Sequence, residues 1–482
     1  MLFNSIDFAI FLPIIFILYW FVTNKNLKLQ NLLLVVASYI FYAWWDWRFL
    51  SLIVFSTIVN YVIGIKLKNG ENQRKRKVLL WTSIFVNLGL LGFFKYYNFF
   101  IENFISVFSF FGTEIKANSL YIILPVGISF YTFQTLGYTI DVYKRKIEPA
   151  KDFIAFSAFV IFFPQLLAGP IERADNLLPQ FYNKRTFDYS KTVDGMRQIL
   201  WGLFKKIVIA DNCAEFANQI FNNSADMNGS TLVLGALFFA FQIYGDFSGY
   251  SDVAIGTSRL FGFNLMKNFA FPYFSRDIAE FWRRWHISLS TWFRDYLYIP
   301  LGGSRGGTRM KIRNTFIIFI VSGFWHGANW TFIVWGALNA IYFLPLLLTH
   351  NNRNNLEIVA QGKSLPTGKE FISMLVTFCL TVFAWIFFRA DNIGHAFDYI
   401  STIFSPSLFE IPEFDGMKKA LTVIMLVAIF VLIEWKGREG EYAISNLGLK
   451  WKRPLRYAMY YAIIAVIIWF SGKEQEFIYF QF

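Results

Sequence analysis

Long apolar stretches recur along the whole chain, separated by short polar and basic segments. A helix needs about 20 mostly apolar residues to cross roughly 30 Å of hydrocarbon, and many of the stretches approach that length. The pattern predicts spans near residues 6–23, 29–45, 49–65, 78–96, 120–140, 153–167, 199–221, 231–250, 314–348, 371–388, 421–434 and 457–470. We therefore expect an all-α polytopic membrane protein with about 11 to 13 transmembrane helices.

Two polar stretches interrupt this pattern, at residues 164–191 and 273–313. Both are too polar to cross lipid, yet aromatic and amphipathic sequence flanks them. Such segments lie in the membrane interface or re-enter the membrane where protein shields them. No linker or internal repeat separates parts of the chain, so residues 1–482 are predicted to form a single integral domain.

Composition supports a membrane protein, since 56% of the residues are hydrophobic and only 16% are charged. The net charge of +13 comes from short basic clusters between apolar runs, at 74–77, 144–146 and 450–456. The positive-inside rule accounts for these clusters better than nucleic-acid binding does. It places them in the cytoplasm and the N-terminus outside. Cys213 and Cys379 lie far apart and the four histidines are scattered, so neither a disulfide nor a metal site is predicted.

His326 is the clearest candidate for chemistry, because residues 314–350 contain no Asp, Glu, Lys or Arg. The run would be about 55 Å long as one helix, so it must tilt or break, and Gly323 and Gly327 offer a break. An ionisable residue deep in apolar sequence usually marks a functional path, and a neutral imidazole can accept a proton from a hydroxyl. The alternative is a buried histidine bonded to a backbone carbonyl. Asn329 either orients a reacting group or makes an ordinary polar helix contact.

A second candidate is His286, which follows two arginines, including Arg283, in a segment rich in tryptophan. The alternative is a histidine at a wet membrane interface. Arg305 lies in the glycine-rich stretch 302–307, which lacks the spacing of a nucleotide phosphate loop. A basic turn of this kind can still attract the phosphates of an acyl donor.

Two further motifs place polar groups next to apolar runs. Asp246 lies in the segment 242–252, where its burial requires an ionic or hydrogen-bonding partner. Gln165 lies in 163–173, which two prolines make a broken, re-entrant turn. Neither motif identifies a reaction by itself.

Taken together, Pro-Gln-Leu-Leu-Ala-Gly-Pro-Ile from residue 164, Asp-Phe-Ser-Gly-Tyr-Ser-Asp from 246, Phe-Trp-Arg-Arg-Trp-His-Ile-Ser-Leu-Ser from 281 and Phe-Trp-His-Gly from 324 resemble the membrane-bound O-acyltransferase family. The motifs occur in the family's order. The opening Leu-Phe-Asn-Ser and the closing Phe-Ile-Tyr-Phe extend the resemblance over nearly the whole chain. The residues of these motifs are most similar to those of the bacterial branch of the family that acetylates alginate, other polysaccharides and peptidoglycan.

The resemblance implies a helical bundle with a central funnel in the bacterial inner membrane. His326 would be the catalytic base at its neck, His286 would orient the acceptor or share the proton transfer, and Trp325 and Asn329 are candidate oxyanion donors. The family uses no bound cofactor. Acetyl-CoA or another acyl thioester would dock from the cytoplasm. The acceptor would be an extracytoplasmic polysaccharide or peptidoglycan hydroxyl, reached directly or through an esterase-like partner protein.

Two other functions stay open. One is D-alanyl transfer to teichoic acid, in which a carrier protein holds the thioester. The other is a transporter or flippase that uses His326 and Asp246 as a proton relay, although no inverted repeat is visible in the sequence.

Overall fold

The computed structural model describes residues 1–112, 120, 122–167, 169–472, 475, 477 and 478, apart from the side chain of Asn69. Within these residues every regular element is helical. Six helical stretches are long and apolar enough to cross a membrane: Leu27–Lys68, Gln73–Phe110, Gly229–Leu260, Trp330–Leu348, Gly368–Arg389 and Met417–Gly437. Two shorter apolar stretches are Ile6–Val22 and Phe153–Leu166. The predicted all-α polytopic membrane fold is confirmed.

The described residues form two compact units, and the first comprises Met1–Asp188 with Leu260–Leu265. Its α-helices are α1 (Ile6–Ile17), α2 (Leu27–Asp46), α3 (Leu50–Asn69), α4 (Gln73–Leu91), α5 (Tyr97–Phe110), α6 (Ile128–Tyr143), α7 (Phe153–Ile161), α8 (Phe163–Leu166) and α9 (Ala174–Leu177). Leu18–Val22 and Gly92–Tyr96 are π-helical, and Trp47–Phe49 and Leu178–Phe181 are 3₁₀-helical.

Buried amides join three helices of the first unit. Asn60 on α3 accepts hydrogen bonds from Ser83 Oγ (2.7 Å) and Asn87 Nδ2 (3.1 Å) of α4 and from Thr139 Oγ1 (3.1 Å) of α6. All four side chains are buried. In an apolar environment such groups must satisfy one another, so the network fixes how the three helices pack.

The second unit comprises Tyr189–Arg259 and Met266–Phe482. Its α-helices are α10 (Tyr189–Leu203), α11 (Asp211–Asn222), α12 (Gly229–Leu260), α13 (Ile278–Arg284), α14 (Ile287–Phe293), α15 (Gly307–His326), α16 (Trp330–Leu348), α17 (Gly368–Arg389), α18 (Ile393–Ile403), α19 (Met417–Gly437) and α20 (Arg453–Trp469). Phe204–Ala210 and Arg294–Tyr298 are π-helical, and Ser224–Asp226, Pro272–Phe274 and Pro406–Phe409 are 3₁₀-helical. The prediction of one domain over residues 1–482 stays a prediction.

The predicted span 314–348 is two antiparallel helices, because α15 ends at His326 and α16 begins at Trp330. Small residues allow the two helices to approach closely. A Cβ atom on Gly323 would lie 2.1 Å from the carbonyl oxygen of Phe332, and one on Gly336 would lie 2.3 Å from that of Phe319. The break expected in this run therefore falls at Gly327, directly after His326.

Three other predicted spans are also interrupted. The span 120–140, whose residue 121 lies outside the described residues, begins its helix only at Ile128, because Gly127 adopts a left-handed φ of 75°. The span 153–167 breaks at Phe162, where an extended residue precedes a new helical turn containing Pro164. The span 199–221 changes to π-helix over Phe204–Ala210 and carries buried lysines there.

The two polar stretches are built from short elements. Within 164–191 every residue of the turn α8 is buried, whereas α9 buries only Ala174 and Leu177. Within 273–313 the chain forms α13, α14 and a π-helical turn, then the glycine-rich turn in which Gly302, Gly303 and Gly307 have positive φ. Among their described residues, neither stretch contains a helix long enough to cross the membrane before α10 and α15 begin.

Candidate active site

The α15–α16 hairpin places His326 at its tip, as the last residue of α15. Asn329 begins the next helix: its Oδ1 accepts a hydrogen bond from Thr331 N (3.0 Å), and its Nδ2 donates to the carbonyl oxygen of Asp391 (2.8 Å). Asn329 therefore caps α16 and ties the hairpin tip to the segment before α18. Its role as an oxyanion donor stays a prediction.

Aromatic rings surround His326, whose residue is only 3% exposed. The imidazole centroid lies 4.9 Å from the ring of Trp325, 5.2 Å from that of Trp335 and 5.2 Å from that of Phe388. These rings come from α15, α16 and α17 respectively. They form an aromatic cage that keeps bulk water from the imidazole, as a base acting on a bound hydroxyl requires.

His286 is the second buried histidine of this unit, with 1% of its surface exposed. It precedes α14 with a left-handed φ of 43°, which turns the chain between α13 and α14. Its Nδ1 lies 3.1 Å from Asn268 Oδ1, and its ring lies 4.6 Å from that of Phe247. Burial lowers the pKa of His286 to about 3, so the ring is neutral near pH 7.

Trp325 links the two histidines. Its ring lies 4.9 Å from His326 and 6.1 Å from His286, measured between centroids. Two histidines that are 40 positions apart in the sequence thus lie next to the same indole ring. The structure brings together three of the residues that the sequence singles out.

Asp246 on α12 lies in a buried ionic cluster. Lys206 Nζ is 2.8 Å from Asp246 Oδ1 and 2.8 Å from Asp211 Oδ1. Asp246 Oδ2 accepts a hydrogen bond from the backbone nitrogen of Ile478 (2.8 Å). The predicted pairing of this carboxylate is confirmed. Asp246 is held in the framework of the unit, while its neighbour Phe247 contacts His286.

Three further residues were predicted to support the site: Arg283, Arg305 and Gln165. Arg283 donates to the backbone oxygens of Asn352 and Asn355, both at 2.8 Å, and so anchors the loop after α16. Arg305 is exposed on the glycine-rich turn. Gln165 belongs to the first unit, where its Nε2 donates to the carbonyl oxygen of Phe159 (3.1 Å). A role in binding substrate stays a prediction for all three.

A cavity of about 500 Å³ lies beside the aromatic cage. Its lining includes the basic residues Arg294, Lys311 and Arg353. It also includes Ser322, which lies one helical turn before His326 and on the same face of α15. Trp282 lines it as well, with its ring 5.6 Å from that of Trp335 in the cage. The cavity is therefore cationic in part, and two of its lining residues, Ser322 and Trp282, lie next to the cage around His326.

Sequence reasoning missed several residues of this site. Trp335 and Phe388 lie in apolar runs that look like any other span, and Lys311 and Arg353 read as ordinary flanking charges. Asn268, the hydrogen-bonding partner of His286, lies 18 positions before it in a loop. No spacing rule identifies any of them.

Comparison with known proteins gives consistent matches. The sequence model of the MBOAT, membrane-bound O-acyltransferase family, matches residues 150–387, which include both buried histidines. Probable alginate O-acetylase AlgI of Pseudomonas putida is 38% identical, across 100% of both proteins. Peptidoglycan O-acetyltransferase of Helicobacter pylori is 38% identical, across 82% of this chain and 78% of its own. Teichoic acid D-alanyltransferase of Streptococcus thermophilus is 29% identical, across 58% of this chain and 69% of its own.

Proposed function

The chain belongs to the membrane-bound O-acyltransferase family, and from this we propose that it passes an acetyl group from a cytoplasmic thioester to a polysaccharide or peptidoglycan hydroxyl outside the bacterial inner membrane. The observation that carries the proposal is the position of His326. It is buried among three aromatic rings, one helical turn from Ser322, which lines a cavity with basic residues. A proton acceptor shielded from water next to a cationic cavity fits transfer from an anionic donor.

The donor would enter through the cavity lined by Arg294, Lys311 and Arg353. Acetyl-CoA and the phosphopantetheine of a carrier protein both carry phosphate, which arginine and lysine bind. The positive-inside rule puts this basic region on the cytoplasmic side and the N-terminus outside. The thioester would then lie toward Ser322, one turn from His326.

In the proposed reaction His326 takes the proton of the acceptor hydroxyl as that oxygen attacks the thioester carbonyl. The tetrahedral intermediate carries an oxyanion, for which Trp325 Nε1 and Asn329 Nδ2 are the candidate donors. The carbon–sulfur bond breaks, the thiolate leaves and takes up the proton, and the acetyl ester stays on the acceptor. His286, whose ring also lies next to Trp325, orients the acceptor or shares the proton transfer.

The acceptor is proposed from the relatives, two of which are named for the acetylation of alginate and of peptidoglycan. Both polymers lie outside the inner membrane, so the acetyl group must cross while the donor stays inside. An extracytoplasmic esterase-like protein would then complete the transfer, with a serine hydroxyl as the first acceptor. Membrane lipid surrounds the apolar faces of the spans.

D-alanyl transfer is the second candidate, supported by the 29% identity to a teichoic acid D-alanyltransferase. That match covers 58% of the chain, against 100% for the alginate O-acetylase. A transporter has no comparable support. The acetyl donor is therefore the one to test first.

The test uses the purified chain in lipid nanodiscs with acetyl-CoA or D-alanyl carrier protein as the only donor. Slow release of free coenzyme A from acetyl-CoA, which stops in His326→Gln, supports the proposal. Hydrolysis of the D-alanyl thioester alone would favour the second candidate, and hydrolysis of neither would favour a transporter.

The donor cavity is tested by charge reversal. Lys311→Glu should raise the KM for the donor by about tenfold, the value of one charge-assisted hydrogen bond. Arg305→Glu is the matched control on the exposed turn, since Arg305 is absent from the cavity lining. A larger effect at Arg305 would instead support the docking site that the sequence predicts.

A further inference from the structure

The hydrogen bonds of Asn268 determine where His286 carries its proton. Asn268 is completely buried, and its Oδ1 receives the backbone N–H of Ser288 at 3.3 Å. A backbone nitrogen can only donate. The amide oxygen must therefore face Ser288, because the opposite orientation would bring two donors together. On its other side, Asn268 Nδ2 donates to Ser251 Oγ at 3.0 Å.

The same amide oxygen lies 3.1 Å from His286 Nδ1. Since Oδ1 can only accept, the attractive arrangement has the proton on Nδ1. The hydroxyl of Ser288 offers a competing arrangement, but it lies 3.4 Å from Nδ1 and 2.9 Å from Asn268 Oδ1. The shorter contact directs that hydroxyl to the amide and leaves Nδ1 as a donor.

We infer that Asn268 is a positioning residue that holds His286 as the Nδ1–H tautomer, so that Nε2 carries the lone pair that accepts the acceptor hydroxyl's proton or hydrogen bond. The functional part of this inference rests on the proposed acyl transfer; the tautomer does not. An amide suits this role better than a carboxylate, because it fixes the ring without favouring imidazolium. Burial of the ring acts in the same direction.

The direct test is nitrogen-15 NMR of the full chain in nanodiscs at neutral pH, with histidine labelled. The chain has four histidines, and the spectrum of His286→Gln identifies the signals of His286 by their loss. A proton bonded to Nδ1, with Nε2 unprotonated, is expected. A proton on Nε2, or exchange between both nitrogens, would overturn the inference whatever the enzyme's activity.

Two variants separate positioning from folding. Asn268→Asp keeps an acceptor for Nδ1 and for Ser288 N, whereas Asn268→Leu removes it at similar volume. We expect Asn268→Leu to lower kcat by about tenfold more than Asn268→Asp, since one hydrogen bond is lost. Ser288→Ala is the control and should keep the Nδ1–H signal. An unchanged Nδ1–H signal in Asn268→Leu, or a changed tautomer in Ser288→Ala, would contradict the inference; if Asn268→Leu does not fold, the wild-type spectrum decides it.

Discussion

Replacement of His326 gives the most decisive test of the proposed mechanism. His326→Ala removes the imidazole from the cage of Trp325, Trp335 and Phe388. Loss of a general base typically slows a reaction by about 10² to 10⁴. This corresponds to about 2.7 to 5.4 kcal/mol of transition-state stabilisation.

A purely structural histidine would behave differently. Its removal would leave unfilled space among three rings and cost about 1 to 3 kcal/mol of folding stability. His326→Gln reduces that cost, because the longer side chain fills more of the cage while offering no base near pH 7. His395→Ala is the matched control, since its Nε2 bonds Ser224 Oγ (3.0 Å) outside the cage.

Polymer acetylation by membrane vesicles and thermal unfolding should be measured on the same preparations. We expect both His326 variants to lose acetylation at least 100-fold, with His326→Gln unfolding near the wild-type temperature and His395→Ala remaining active. Acetylation within threefold of wild type in His326→Gln would remove His326 from the chemistry. Loss of activity only together with loss of folding would assign it a structural role.

The remaining predictions concern folding and orientation. Gly323→Ala should destabilise the protein by several kcal/mol in thermal unfolding, because its Cβ would lie 2.1 Å from a backbone oxygen. Gly368→Ala is the control and should have little effect, since no atom lies within 4 Å of its Cβ. Equal melting temperatures of the two variants would refute the close approach of α15 and α16. Lys206→Met removes the cation between Asp246 and Asp211 and should cost about 3 to 5 kcal/mol; unchanged unfolding would mean that the cluster is not ionised as described. Lys75→Cys, in a Cys379→Ser background, should react with a membrane-impermeant thiol reagent only from the cytoplasm, and labelling from outside would invert the proposed topology.

The basic cluster 74–77 contains both buried and exposed residues. Arg76 belongs to the basic cluster 74–77, but it is buried and donates to the backbone oxygens of Leu67 and Tyr143. Lys75 beside it is exposed. Thr113, which the predicted topology puts on the extracytoplasmic side, does not belong to the described residues. Charge counting places the cluster but does not tell which members remain in water.

Features that depend on local sequence were predictable. A helix cannot remain apolar over residues 314–348 and also stay upright within about 30 Å of hydrocarbon, so a tilt or a break was required, and Gly323 and Gly327 offered a break. His326 was a candidate because placing an ionisable imidazole in such an apolar run costs free energy. That Asp246 needs a partner followed from the cost of burying a charge. That the partner is Lys206 could not be predicted from the sequence.

Features that depend on three-dimensional assembly were not predictable. Trp335 and Phe388 meet His326 only because α16 and α17 pack against each other. The guanidinium of Arg283 binds two backbone oxygens of the loop after α16, a contact that no sequence pattern indicates. The sequence gives the chemical type of each of these side chains. It does not indicate which carbonyl, ring or ligand the side chain will contact.

The buried cluster around Lys206 also sets an order for biogenesis. Lys206 Nζ donates to the carbonyl oxygen of Gln475 at 3.1 Å, across 269 positions of sequence. At about 5 to 20 residues per second, the ribosome needs about 13 to 54 s to make that stretch. During this time Lys206 lacks the carbonyl of Gln475, and Asp246 lacks the backbone N–H of Ile478, which bind them in the finished protein. A chain released after α20 but before residue 475 would therefore contain every described helix of the second unit and still leave its buried ionic cluster incomplete.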